Sequence, residues 1–238
     1  MSIQRTRQIM LLLIALVASG LYGQTVSPKP ATELMGHKVI LVEPKRETND
    51  LAGEPYQVCF DATTPAWRCY TPQDSFYRGW GPEPGLVPVD LGHGRSALLF
   101  SVYATASGSG ANIHIALLRP SGREAENLLP GDVSLKEISG HKFLTEPAVS
   151  ESPILITADF VWELGENHPD NHRYIISAYV LNPDTDHYYL DDRYMTTRKY
   201  EGDFGFDKAE VFVGEKPEII ARLKRAKAER EHQPHSAR

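Results

Sequence analysis

From Leu98 onward the chain repeatedly places an apolar residue at every second position, in short runs that end at Gly, Pro, Asn or Asp. A period of two sends alternate side chains to opposite faces of an extended backbone, whereas a helix needs its apolar positions three or four apart. Leu98, Phe100, Val102 and Ala104 alternate with Ser101, Tyr103 and Thr105. After Ser107-Gly108-Ser109-Gly110 the pattern resumes at Ile113, Ile115 and Leu117, and the spacing predicts a β-hairpin. Ile154, Ile156, Ala158, Phe160 and Trp162, opposed by Thr157, Asp159 and Glu163, predict a half-buried strand. Residues 174–181 are apolar on both faces and read as a central strand. Asn182-Pro183-Asp184-Thr185-Asp186 turns the chain, and residues 187–196 return it.

One helix is expected, over residues 217–231. Pro217 suits a first helical turn, Ile219, Ile220, Leu223 and Ala226 form an apolar stripe, and basic residues gather where the macrodipole favours them. The fold class is therefore mainly β: an antiparallel β-sandwich or propeller-like sheet with one C-terminal helix. The expected organisation is a leader at 1–23, a flexible Pro/Ser/Thr-rich extension at 24–37, a single β-rich domain at 38–231 and a disordered tail at 232–238.

The leader follows from Arg5 and Arg7, the apolar run 9–17 and the small residues up to Gly23. That run is about half of the roughly 20 apolar residues a membrane span requires, so a cleaved signal peptide is expected, with no stable membrane insertion. The expected address is the periplasm or the extracellular space. Cys59 and Cys69, the two cysteines of the chain, are then expected to pair, with residues 61–66 supplying the turn between them. Closing so short a loop contributes about 2–3 kcal/mol in the chain-entropy account, enough to staple one hairpin.

The chain carries 25 Lys and Arg against 31 Asp and Glu, a net of −6, and losing Arg5 and Arg7 makes it −8. An acidic protein is a poor ligand for phosphate backbones, so no nucleic-acid partner is expected. Positive charge is local: residues 215–238 hold seven basic and four acidic side chains, which reads as a solvated helix face or a contact for an acidic partner.

Six potential ligands crowd residues 163–172: Glu163, Glu166, Asn167, His168, Asp170 and His172. Imidazole and carboxylate donors in one loop are what a divalent metal uses, and a loop held between two strands could present them. Pro169 and the strand context argue against a helical His-x-x-x-His pair. The loop therefore reads as a polar connection, with Glu163, Glu166, His168, Asp170 and His172 as a candidate metal set. Asn182, Asp184 and Asp186 start like a calcium loop, but His187 and Arg193 stand where such a loop needs Gly and Glu. Ser109 lies in Gly-Ser-Gly ahead of a strand and lacks a nucleophile elbow. His93, between two glycines, reads as a turn residue and His114 as a surface or network residue. Tyr77, Arg78 and Trp80, in a Gly/Pro-rich loop, are residue types that anchor protein partners or stack on sugars.

The run from an apolar strand through an acidic loop to a Tyr-rich strand, the Asn-Pro-Asp-Thr-Asp turn and an aromatic return strand resembles a blade of secreted bacterial FG-GAP or VCBS-type β-propeller proteins. The resemblance covers residues 154–200. The regular Asp-x-Asp-x-Asp-Gly calcium loop of those blades is replaced here by Asp159, Glu163, Gly165 and Glu166 in irregular order. The expected function is non-catalytic binding of a protein or glycan ligand, as in an envelope-associated inhibitor or accessory protein, with no cofactor. The alternative is a metal-dependent hydrolase centred on residues 163–172.

Overall fold

Strands without a polar face dictate the layering of this protein. The computed structural model describes residues 30–43, 56–61, 69–72, 84–105, 111–122, 124–131, 133–136, 139–167, 169–201 and 209–232. The leader, the turn 106–110, the loop holding Tyr77, Arg78 and Trp80, and His168 lie outside the described residues. The described strands are β1 (Pro30–Leu34), β2 (His37–Val42), β3 (Gln57–Phe60), β4 (Gly85–Gly92), β5 (Arg95–Thr105), β6 (Ala111–Ser121), β7 (Glu124–Asn127), β8 (Val133–Lys136), β9 (Gly140–Leu144), β10 (Ile154–Val161), β11 (Arg173–Asn182) and β12 (His187–Met195). Helix α1 spans Ala209–His232.

The strands form three antiparallel sheets, β1-β2-β3, β4-β5-β6-β7 and β12-β11-β10-β9, with β8 pairing β6 beyond the end of β7. Three apolar cores separate four layers. Leu34, Val39, Val58 and Phe60 of the first sheet meet Leu98, Phe100, Val102, Ala116 and Leu118 of the second. The opposite face of that second sheet, with Leu99, Ile113, Ile115 and Leu117, meets Leu155, Leu181 and Tyr188 of the third. On the far side of the third sheet, Ile154, Ile156, Ala158, Phe160, Tyr174, Ile176, Ala178 and Val180 receive Val211, Phe212, Ile219 and Leu223 of the helix. At about 1.5–3 kcal/mol for each large apolar side chain fully buried, the two inner sheets hold most of the driving force.

The expected hairpins are present: Val102 faces His114 across β5 and β6, and Val180 faces Tyr189 across β11 and β12. Strand β11 is central, flanked by β10 and β12. Four local expectations change. Strand β10 is covered on both faces, because Leu155 and Thr157 are buried against the second sheet while Ile154 and Ile156 face the helix. His114 is buried at 4% exposure, since its face of β6 lies under the first sheet. Strand β1 orders part of the expected extension, because its backbone pairs with β2 and Leu34 enters the core. Helix α1 starts well before Pro217, because Val211 and Phe212 extend its buried face. Pro217 removes the bond to the Val213 carbonyl, and that residue is exposed, so water can donate to the carbonyl instead.

The expected disulfide joins Cys59 and Cys69, with Cα atoms 4.4 Å apart. The flanking segments pair as anticipated: Val58 and Tyr70 exchange N–H···O bonds of 3.0 and 2.9 Å. Among the described residues no helix is long and apolar enough to cross a membrane.

Candidate functional site

Residues 162–172 link β10 to β11 at one end of the third sheet. Glu163 to Glu166 form a β-turn: the Glu166 N–H donates to the Glu163 carbonyl at 3.1 Å, and Gly165 takes the positive φ of +89° that the third position requires. Leu164 is left at the apex, fully exposed, with half-exposed Trp162 beside it.

The turn is braced from inside. Glu166 Oε2 accepts from the Glu163 N–H at 2.9 Å and lies 2.9 Å from His172 Nδ1. Lys199 Nζ bridges the acids, 2.6 Å from Glu166 Oε1 and 2.8 Å from Glu163 Oε2. Arg173 Nε lies 3.1 Å from Glu163 Oε1. Lys199, the Glu163 N–H and His172 together hold the Glu166 carboxyl down at about 2. An ionised carboxylate only accepts, so His172 carries its proton on Nδ1. The Glu163–Glu166 pair in turn raises the Lys199 ammonium.

His172 itself is fully buried. Its backbone exchanges two 2.8 Å bonds with Tyr200, and its ring closes a triangle with Phe160 and Trp162, whose centroids lie 5.2 and 5.3 Å from it and 5.1 Å from each other. A Glu–His pair can serve as a general base only where a substrate proton comes within hydrogen-bond reach, and this ring has no open face. Asp170 turns elsewhere, accepting the Asn167 N–H at 2.6 Å. Of the sequence-derived metal set, Glu166 meets His172 and shares Lys199 with Glu163, Asp170 joins none of them, and His168 lies outside the described residues. No group of three His, Cys, Asp or Glu arranged to hold a metal ion occurs among the described residues. Lys199 and Arg173, which hold the acids, were not singled out by the sequence, for Lys199 reaches them only through the pairing that sets Tyr200 beside His172.

The calcium-like turn is a hairpin loop closed by Asp186 N–H to the Asn182 carbonyl at 2.8 Å. The Asp186 carboxylate is taken by Arg95 and Arg119, fixing the third sheet to the second. His93 is a turn residue, with φ +55° and Nε2 2.9 Å from Glu151.

A cleft of about 660 Å³ opens at the other end of the third sheet. Val149, Val180, Leu181 and Tyr189 give it apolar walls, and Arg95, Lys227 and Arg230 give it cations. The helix cations are oriented from the sheet: Arg230 pairs with Asp191 and lies over the Tyr189 ring, and Lys227 Nζ donates to the Ala148 carbonyl at 3.1 Å. None of these residues carried a motif, because the cleft is assembled from the 93–95 turn, the 149–152 loop, the 180–189 hairpin and the helix end.

No family model, no curated protein and no solved structure matches the chain.

Proposed function

We propose that this chain is an exported binding protein that acts on a protein or glycan ligand without catalysis, as an envelope-associated inhibitor or accessory protein would. What carries the reading is the state of the dense polar cluster at residues 163–172. Glu163 and Glu166 are engaged by Lys199, Arg173 and the turn's own N–H, and His172 is fully buried beside two aromatic rings. A metal would have to displace an ammonium from two carboxylates, and a substrate would have to open the aromatic packing. Among the described residues, the cleft beside Tyr189 and the exposed end at Leu164 offer surfaces for recognition. Export rests on the leader pattern, and the Cys59–Cys69 bond is of the kind an oxidising compartment sustains.

Elemental analysis and calorimetry of the purified protein test the assignment. The expected result is sub-stoichiometric metal, a melting temperature insensitive to chelator, and a rise in melting temperature with a member of a peptide and oligosaccharide panel. A stoichiometric metal whose removal lowers the melting temperature, with the effect lost in His168→Ala/His172→Ala, would put the metal-dependent hydrolase in first place.

A further inference from the structure

A short segment, Cys69 to Thr71, lies along the outer edge of the first sheet. Strand β3 pairs with β2 on its inner side, where Leu41 stands opposite Val58. On the outer side the Val58 N–H donates to the Tyr70 carbonyl at 3.0 Å, and the Tyr70 N–H donates back at 2.9 Å. That exchange marks a hydrogen-bonded antiparallel pair, so Cys59 and Cys69 stand opposite each other one step further along. Their Cα separation of 4.4 Å is that of a non-hydrogen-bonded pair. The disulfide is thus a covalent rung on the same ladder.

The two sides of this ladder are anchored differently. Strand β3 sends Val58 and Phe60 into the core shared with the second sheet. Its end is tied to β2 by Asp61, whose N–H donates to the Lys38 carbonyl at 2.7 Å and whose carboxylate takes the Lys38 N–H at 2.9 Å and lies 2.6 Å from His37 Nδ1. The outer segment meets β3 through one isolated backbone bridge and an exposed bond of 3.1 Å from Gln57 Nε2 to Thr71 Oγ1. The half-buried Tyr70 ring stands edge-on to Phe100 at 6.1 Å, and Pro72 has no N–H with which to lengthen the ladder. Short strand pairs are marginal in water, so a covalent rung beside a single bridge governs how often that bridge opens.

We infer that the Cys59–Cys69 bond is a redox-operated strap: reduction by a dithiol releases the Cys69–Thr71 segment from β3 and opens that edge of the first sheet, while the inner sheets stay folded. Exchange enters through the half-buried Cys69, since Cys59 is 1% exposed. A reagent thiolate attacks the Cys69 sulfur, the S–S bond breaks, and Cys59 leaves as a thiolate that takes up a proton. The second thiolate of the reagent then displaces the Cys69 sulfur from the mixed disulfide. The protein ends as a dithiol and the reagent as a disulfide. The N–H and C=O of Val58 and the flank of Phe100 beneath Tyr70 are uncovered. The cores on either side of the third sheet contain no residue of the strap, so they have no direct share in its release.

Hydrogen exchange read by NMR on the mature protein tests this in the oxidised form, after dithiothreitol without denaturant, and in Cys59→Ala/Cys69→Ala. Alkylation followed by intact mass counts the thiols. Two thiols are expected after dithiothreitol. The Val58 and Tyr70 amides should exchange roughly a hundredfold faster in the reduced protein and in the variant, the factor the chain-entropy account gives for a cross-link of this span. The amides of Ile115 and Ile176, in the second and third sheets, should keep their protection. A bond that dithiothreitol leaves intact in the folded protein, or Val58 and Tyr70 amides whose protection survives reduction, would overturn the inference. So would a loss of protection at Ile115 and Ile176 together with Val58, which would make the bond a staple of the whole fold. Should the variant not fold, the reduced wild type decides between these outcomes by itself.

Discussion

Arg222 of the helix grips Asp192 of β12 with both arms of its guanidinium, Nε to Oδ2 at 2.6 Å and Nη2 to Oδ1 at 2.9 Å, while its plane lies 4.6 Å from the centre of the Tyr194 ring. Three cations of the basic stretch that reads in sequence as a solvated face or an external contact thus also tie the helix to the segments beside it. Arg230 holds Asp191 and Lys224 lies 3.2 Å from Glu146. Asp191 is the extra residue of a β-bulge, because Ala178 pairs with Asp192 and Tyr179 with Leu190. A bulge with an inward carboxylate on an edge strand disfavours pairing with a further strand, so the clamp also guards the free edge of the third sheet.

Removing that grip should loosen the helix. Arg222→Ala is expected to cost about 1–2 kcal/mol in urea unfolding, the lower part of the range for hydrogen bonds to charged groups because the pair is part-exposed. Arg222→Lys should recover little, since an ammonium cannot reproduce the two-armed geometry or the stacking on Tyr194. A double-mutant cycle with Asp192→Ala measures the pair directly, and additivity of the two changes would show that they do not interact.

Gly214 tests the closeness of helix and sheet. A Cβ there would lie 2.7 Å from Tyr200 Cε1 and 2.8 Å from its hydroxyl. Alanine normally improves a helix by about 1 kcal/mol over glycine. Here Gly214→Ala is expected to be destabilising instead, by about 1–3 kcal/mol of overpacking. A thermal melt at or above the wild-type midpoint would contradict the contact.

Ile176, 1% exposed, shares the buried face of β11 with Ala178 and Val180. Ile176→Asp should abolish cooperative unfolding, because an unpaired buried charge costs several kcal/mol against a total stability of about 5–15 kcal/mol. Thr185→Ala, at the exposed hairpin turn, should leave the urea midpoint unchanged.

The two ends of the pH scale should report different clamps. Glu166 falls from an ordinary 4.5 to about 2 on folding, so between those values the unfolded chain binds more protons than the folded one. The stabilisation is complete above about pH 4.5 and is lost as the pH drops towards 2. In melts across this window Glu166→Gln should flatten the acid limb. On the alkaline side, burial and then the Glu215 carboxylate push the Tyr200 phenol up to about 12, and Tyr194 moves in the same direction for the same causes. The folded state retains these protons longer, so stability declines as the pH rises from about 10 through 12. Phenolate absorbance should rise with unfolding rather than ahead of it, and Glu215→Gln should move the phenol titration to lower pH.

Much of the architecture was legible because strand pairing is local and periodic. The hairpin of β11 and β12, the β5–β6 pair and the Cys59–Cys69 staple each join neighbours in sequence, and alternation plus a turn determines them without reference to the rest of the chain. Layer order was not legible. The same apolar run in β10 can line one core or two, and only the presence of the second sheet behind Leu155 and Thr157 settles which. The acidic–histidine loop shows the same division. Its residues announced a site, but charge has no direction until partners are placed. Lys199, brought in by the return of β12, turned three metal-like ligands into the brace of a turn. Period and turn chemistry act over a few residues and are written in the sequence itself, whereas burial, charge pairing and the cleft depend on distances between segments far apart in the chain, which exist only once the sheets have stacked.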